Sequence, residues 1–232
     1  MHTRLHSPWG NVHVRLLDDQ MLHVRAETDL AAIWGQGYAV GRLRLWQLDL
    51  TRRAARGELA QILGSRARRG DIFQRKLGLS GLAEREAARV ADLSALSGDD
   101  LRQVNQVRAY VDGINTALAR VRLLPPECLL LRYRPAPFAE TDVYAAALLK
   151  YFINSAWQFE IFHTRLSGRL TTAQAGQLFA TFSHEGGVLP PLPRTGGTLT
   201  ASAARALEDG LAGLRLLGMS SPDSGSNVFA VS

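Results

Sequence analysis

A serine hydroxyl can attack the backbone carbonyl that precedes it, and Gly225-Ser226 is where this sequence is best suited to that chemistry. Gly225 offers the least hindered carbonyl and the freest backbone for a strained attack. The product is an ester that water can hydrolyse, which would leave Ser226 with a free α-amino group. Such amines titrate at about 7.7–8.0 in model peptides, a useful range for a general base at neutral pH. A terminal hydroxyl activated by its own amine is an established nucleophile arrangement. Taken alone, a Gly-Ser pair before a strand is weak evidence, because such pairs in linkers are common and usually inert.

The remaining reactive side chains point to less. His2, His6, His13, His23, His163 and His184 form no H-x-x-x-H pair, and none sits beside a cysteine, so the spacing argues against zinc. There is no G-x-S-x-G elbow and no P-loop, and Gly35-Gln36-Gly37 follows no strand of dinucleotide-binding type. Cys128 is the single cysteine, which rules out an internal disulfide. Its setting, Glu127-Cys128-Leu129-Leu130-Leu131, is apolar and predicts a buried structural thiol.

The elements around these residues are mostly helical. Val12, Val14 and Leu16 alternate with polar residues, as do Leu22, Val24 and Ala26, so residues 11–26 read as a hairpin turning at Asp18-Asp19-Gln20. Thr28 can cap a helix with Asp29 in its first turn. Trp34, Tyr38, Leu45 and Leu48 recur at helical spacing, and the helix is expected to run on to Leu63-Gly64. Gly35, Gly37 and Gly41 within it cost helix propensity, which suggests close backbone packing. A basic, polar stretch follows, then a charged helix near residues 82–93. Ser97 to Asp100 starts another helix, whose stripe from Leu101 to Val121 is a core face that Pro125-Pro126 stops. Thr141 and Asp142 open a helix running to about Leu166, and shorter helices are expected at 172–182 and 201–217.

Residues 184–197 and 220–225 are rich in Gly, Pro and Ser and read as linker. A strand-like run begins at Val228 and stops at once. Either it pairs with the hairpin at 11–26 or its sheet lies in further sequence, and the second is expected.

Hydrophobic residues make up 46% of the 232 and charged residues 21%, ordinary values for a globular protein with a real core. No apolar run reaches the roughly 20 residues that span a bilayer, and no signal peptide is seen. The expectation is a cytoplasmic protein, or a periplasmic or secreted one if a leader has been removed. The net charge of +6 comes almost wholly from arginine, with Arg52-Arg53 and Arg66-Ala67-Arg68-Arg69 the densest spots. It fits a solvated helix face or an acidic partner better than nucleic acid, for which no binding motif is present.

Several stretches, in order, resemble the penicillin acylase family of N-terminal nucleophile hydrolases. Trp9-Gly10-Asn11-Val12-His13-Val14 resembles the family's opening strand. Gly37-Tyr38-Ala39 and Arg44-Leu45-Trp46-Gln47-Leu48-Asp49-Leu50 resemble its G-Y-A-x-A-Q-D-R-L-W-Q-M-D signature, continued by Arg52-Arg53-Ala54-Ala55-Arg56-Gly57. Tyr110-Val111-Asp112-Gly113-Ile114-Asn115 resembles A-Y-x-x-G-I-N, and Tyr133-Arg134-Pro135-Ala136-Pro137-Phe138 also fits. Gly225-Ser226-Asn227-Val228-Phe229-Ala230-Val231-Ser232 resembles the processing junction G-S-N-x-W-x-V-S. Val40-Gly41-Arg42-Leu43 departs from the usual A-Q-D, and Phe229 stands where tryptophan is common.

The resemblance implies a mainly α segment with a small N-terminal β-hairpin, part of an αββα N-terminal nucleophile hydrolase. Residues 1–183 would be the helical region, 184–225 a linker or spacer peptide, and 226–232 the start of the catalytic domain. Cleavage at Gly225-Ser226 would make Ser226 the catalytic nucleophile of an acylase acting on a linear amide. That amide would be of penicillin, cephalosporin side-chain or acyl-homoserine lactone type. A C-terminal β subunit would be the partner and would hold the oxyanion donors, so the fragment alone is expected to be inactive. Family precedent places the acyl pocket on the helix carrying Lys150, Phe152, Ile153 and Asn154. Lys150 and Asn154 would meet a polar acyl group or else point to solvent. Glu160 matches a glutamate that helps bind a structural calcium, and read alone it is a solvent-facing carboxylate or a partner of Arg165. No organic cofactor, nucleic acid or membrane is implied. The competing reading is a non-catalytic helical scaffold or binding module.

Overall fold

Alternation along the first 26 residues builds not two strands but three. The computed structural model describes residues 2–17 and 21–155, together with positions 174, 205, 208–210 and 212. β1 (His2–Ser7), β2 (Gly10–Leu16) and β3 (Leu22–Ala26) form an antiparallel sheet in that order. Leu5 and Ala26 pair with Val12, and Thr3 and Val24 pair with Val14. Val12 and Val14 are fully buried. The sequence reading found β2 and β3 but not β1, whose inward positions are Thr3, Leu5 and Ser7, with one strong apolar residue among them. Ser7 is buried because its hydroxyl closes the turn, donating to Gly10 O at 2.8 Å and accepting from Trp9 N at 3.2 Å.

α1 (Asp29–Leu43) starts as its sequence predicts, with Thr28 Oγ1 accepting from Ala31 N at 3.1 Å and Asp29 in the first turn. The same hydroxyl donates to Trp9 O at 2.9 Å, which ties the helix start to the sheet. The helix does not continue to Leu63. It breaks at Arg44, where φ is −133°, and α2 (Leu45–Arg56) follows. Gly57 ends α2 in the left-handed region, its N–H bonding Ala54 O, and α3 (Ala60–Leu63) then stops at Gly64. The basic, polar stretch forms a 3-10 turn (Gly64–Ala67) and α4 (Arg68–Leu77), and α5 (Leu79–Arg89) follows. Asp71 of α4 turns inward because it accepts from Leu59 N at 3.0 Å and Ala60 N at 2.7 Å, capping α3 from outside.

α6 (Gly98–Ala119) is the longest helix of the described residues and packs along α1. Sheet, α1 and α6 enclose one core cluster, including Leu5, Val12, Val14, Trp34, Tyr38 and Ala109. A second joins Leu45, Val111, Ile114, Leu118 and Phe138. α7 (Pro126–Leu130) is a short turn holding Cys128, fully buried as expected, and burial pushes its thiol pKa up. α8 (Glu140–Asn154) completes the described elements.

The chain divides into two units, Met1–Leu149 and Lys150–Ser232. Of the second, the last turn of α8 is described, and Gln174, Arg205, Glu208–Gly210 and Ala212 are helical. The expected boundaries near 183 and 225, and the end of the long helix near Leu166, lie outside the described residues. Among the described residues no helix is long and apolar enough to cross a membrane.

Where β2 meets the start of α1, Glu27 accepts from Asn11 N and Asn11 Nδ2, both at 2.8 Å. The backbone hydrogen bond, and then the side-chain one, holds its carboxyl below the usual carboxylate range. A lowered native pKa gives stability that is complete above the unfolded value of about 4.3 and is lost as pH falls through the native value. Thermal unfolding between about pH 5 and 3 should therefore fall more steeply for the native protein than for Glu27→Gln. Equal slopes in the two melting series would show that Asn11 does not stabilise the ionised form.

Candidate functional site

Asp49, Arg52, Arg53 and Arg56 lie at helical spacing on one face of α2, at the end of the signature noted above. Asp49 is wholly buried and Arg52 is 5% exposed. Arg52 Nη2 donates to Asp49 Oδ1, while Arg53 Nε and Tyr133 Oη donate to Asp49 Oδ2 at 2.8 and 2.9 Å. The other arm of Arg52 donates to Ala136 O at 3.1 Å and Pro137 O at 3.0 Å, and lies 3.5 Å from Asp142 Oδ2. Its guanidinium carbon stands 4.1 Å from the centroid of the Phe138 ring. Arg56 Nη1 lies 3.2 Å from Asp142 Oδ1, near enough for an ion pair though not aligned as a hydrogen bond.

This network reaches across 84 to 90 residues of sequence and fixes the strap that leads into α8. Asn115 of α6 holds the same strap, donating from Nδ2 to Phe138 O at 2.8 Å and accepting from Phe138 N at 2.7 Å. Asp142 sits in the first turn of α8 and accepts from Ala139 N at 2.9 Å, the returning half of a capping box. Buried carboxylates left unpaired cost several kcal/mol, so each acid here is matched by a cation or donor. Burial, then hydrogen bonding with Cys128 and the charge of Asp49, pushes the Tyr133 hydroxyl pKa up, so Tyr133 remains a donor to Asp49. Cys128, raised by burial, has the opposite environment to a reactive thiol.

The predicted acyl-pocket residues occupy the far end of the helix that this network starts. Lys150 and Asn154 are exposed, one turn apart on α8, and Phe152 and Ile153 are half-buried. Gly225, Ser226 and Glu160 lie outside the described residues. Among the described residues no group of three or more His, Cys, Asp or Glu side chains gathers to hold a metal ion. The ionic network was not foreseen from the sequence. The spacing Asp49, Arg52, Arg53, Arg56 was a signal for it, whereas its link to Asp142 depends on the tertiary fold.

The helical body with its small N-terminal sheet shares the fold of a solved penicillin acylase. That structure, a thermostable penicillin G acylase from Alcaligenes faecalis, matches with a TM-score of 0.54 and 23% identity over 82% of this chain and 99% of that one. The family model for penicillin amidase matches residues 11–232, and the chain belongs to that family. It is similar to the penicillin acylase 2 proenzyme of Pseudomonas sp. (strain SE83), 35% identical over 116 residues, half of this chain and 14% of that protein. It is also similar to the penicillin G acylase of Escherichia coli, 24% identical over 157 residues, covering 63% of this chain and 18% of that protein. The chain thus spans less than a fifth of the length of these curated relatives.

Proposed function

We propose that this chain is the N-terminal part of a self-processing acylase that hydrolyses a linear amide through an acyl-serine on Ser226. The observation that carries this reading is the family match, which runs through Gly225-Ser226 to residue 232. The Pseudomonas relative is itself described as a proenzyme.

In processing, Ser226 Oγ attacks the Gly225 carbonyl, the peptide C–N bond breaks, and the nitrogen takes the hydroxyl proton to become an amine. Water then hydrolyses the ester, leaving Gly225 as a carboxylate and Ser226 at a new N-terminus. In turnover the freed amine accepts the Ser226 hydroxyl proton as Oγ attacks the substrate amide, and that proton passes to the leaving amine. Water releases the acid from the acyl-serine. Stabilisation of the tetrahedral oxyanion carries much of such a rate, and the partner chain supplies those donors, so this chain alone is inactive.

Residues 184–225 are the linker or spacer, and the α8 end with Lys150, Phe152, Ile153 and Asn154 faces the acyl group. A penicillin, a cephalosporin side chain or an acyl-homoserine lactone fits this class.

N-terminal sequencing and intact mass of the complete precursor test the reading. The expected product is a subunit beginning Ser-Asn-Val-Phe, and Ser226→Ala should leave one uncut chain without amidase activity. A Ser226→Ala precursor that is processed and active would overturn it. An uncut native chain would favour the helical scaffold instead.

A further inference from the structure

The outer face of the three-stranded sheet takes no part in the chemistry above. Alternation places His2, Arg4 and His6 of β1 on it, beside Asn11, His13 and Arg15 of β2 and His23 and Arg25 of β3. All are exposed except the half-buried His13. Most of the chain's 6 histidines therefore share one sheet face. The register makes a grid, with His2 opposite Arg15 opposite His23, and Arg4 opposite His13 opposite Arg25. Directly opposed Cβ atoms are about 5 Å apart and diagonal ones about 7–8 Å, so Arg4 and Arg25 flank His13, and Arg15 follows two residues along the same strand.

None of Arg4, Arg15 and Arg25 forms an ion pair among the described residues. The carboxylate at the edge of the face, Glu27, is committed to Asn11. Each arginine stands opposite a histidine and none opposite a carboxylate, so the sheet supplies these guanidiniums no partner, whereas an anionic cover would.

We propose that this face is the docking surface for an acidic surface of the C-terminal partner chain. The inference rests on the reading of this chain as one part of a longer processed protein. Relatives are matched over 14% and 18% of their length, so most of such a protein lies outside this chain. The net charge of +6 has the sign that an acidic surface complements. The shape favours a protein surface over a small anion, because the face is three strands wide. The open hollow at its edge, about 260 Å³, is rimmed by Glu27, which repels a lone anion. Guanidinium forks pair two-pronged with carboxylates, and imidazole N–H groups add donors between them.

The test is a salt titration of the processed two-chain protein followed by sedimentation velocity. Arg4→Gln, Arg15→Gln and Arg25→Gln together should let the chains separate at several-fold lower salt, and the matching lysine triple should restore most of the resistance. Acylation of the sheet histidines by diethylpyrocarbonate, read by mass spectrometry, should be slow in the native complex and several-fold faster in the glutamine triple. Equal salt midpoints, or fast labelling in the native complex, would overturn the docking. Protection of the histidines by inorganic phosphate at matched ionic strength would also overturn it, in favour of a small-anion site. If no second chain forms, the self-processing reading fails as well. If one forms and the histidines label freely, only the docking falls.

Discussion

Replacing Arg52 with methionine is expected to lower stability by about 3–5 kcal/mol, the loss typical of removing one partner from a buried charge network. In a domain of this size that is a fall in Tm of roughly 6–20 °C. Methionine fills much of the volume, so the loss would come from electrostatics rather than from a cavity. Asp49 would keep Arg53 and Tyr133, but Asp142 would keep only the Ala139 amide and, as its one cation, Arg56 in a poorly aligned contact. The carbonyls of Ala136 and Pro137 would lose this donor, and the strap would rely on Asn115 at Phe138.

Lysine should rescue little, because one ammonium cannot reach Asp49 and two carbonyls on opposite sides of a planar fork. A control separates burial from charge. Arg102 and Asp99 form the same i, i+3 pair at side-chain exposures of 66% and 77%, and Arg102→Ala should cost less than about 1 kcal/mol. Thermal melts of the complete protein check the whole series. A loss for Arg52→Met no larger than for Arg102→Ala would mean that the network stabilises nothing. Arg52 and Asn115 fix the strap and the first turn from which α8 begins.

What the sequence made legible follows from the range of the interaction. β2, β3, the Thr28 cap and the stripe of α6 are local patterns, readable at periods of 2 or 3.6 residues. β1 was missed because Thr3 and Ser7 face inward, and α4 because its buried face includes Asp71 and Gln74. A polar residue is buried when its partner is supplied from elsewhere, and Asp71 answers to two amides eleven and twelve residues away. The break at Arg44 has no signal of its own, whereas Gly57 following the basic turn of α2 was a readable stop. Family motifs and the chemistry of a Gly-Ser pair point to Gly225-Ser226, which lies outside the described residues. The buried network joining α2 to α8 is long-range and could not be read from local pattern.

Gly37→Ala and Gly113→Ala should each destabilise by about 1–3 kcal/mol, against the usual gain from alanine in a helix. A Cβ on Gly37 would stand 3.0 Å from the carbonyl carbon of Tyr110 and closer still to its oxygen. One on Gly113 would stand 2.8 Å from Tyr38 N and 3.0 Å from the carbonyl carbon of Trp34. These neighbours are backbone, so no rotamer change relieves the overlap, and α1 and α6 must move apart. That movement would loosen the packing around Trp34, whose Nε1 donates to Asp112 Oδ2 at 2.7 Å across the same seam. Gly81 is the control, because its added methyl would meet Arg85 Nη1 at 3.6 Å and nothing closer, so Gly81→Ala should stabilise by about 0.5–1 kcal/mol. The double variant at 37 and 113 should cost less than the sum of the singles, since helices already parted for one methyl make room for the second. Denaturant midpoints of the four proteins test this directly. Additive losses would mean that the two glycines report separate strains, whereas a shortfall would show one close seam on which the signature helix and α6 depend together.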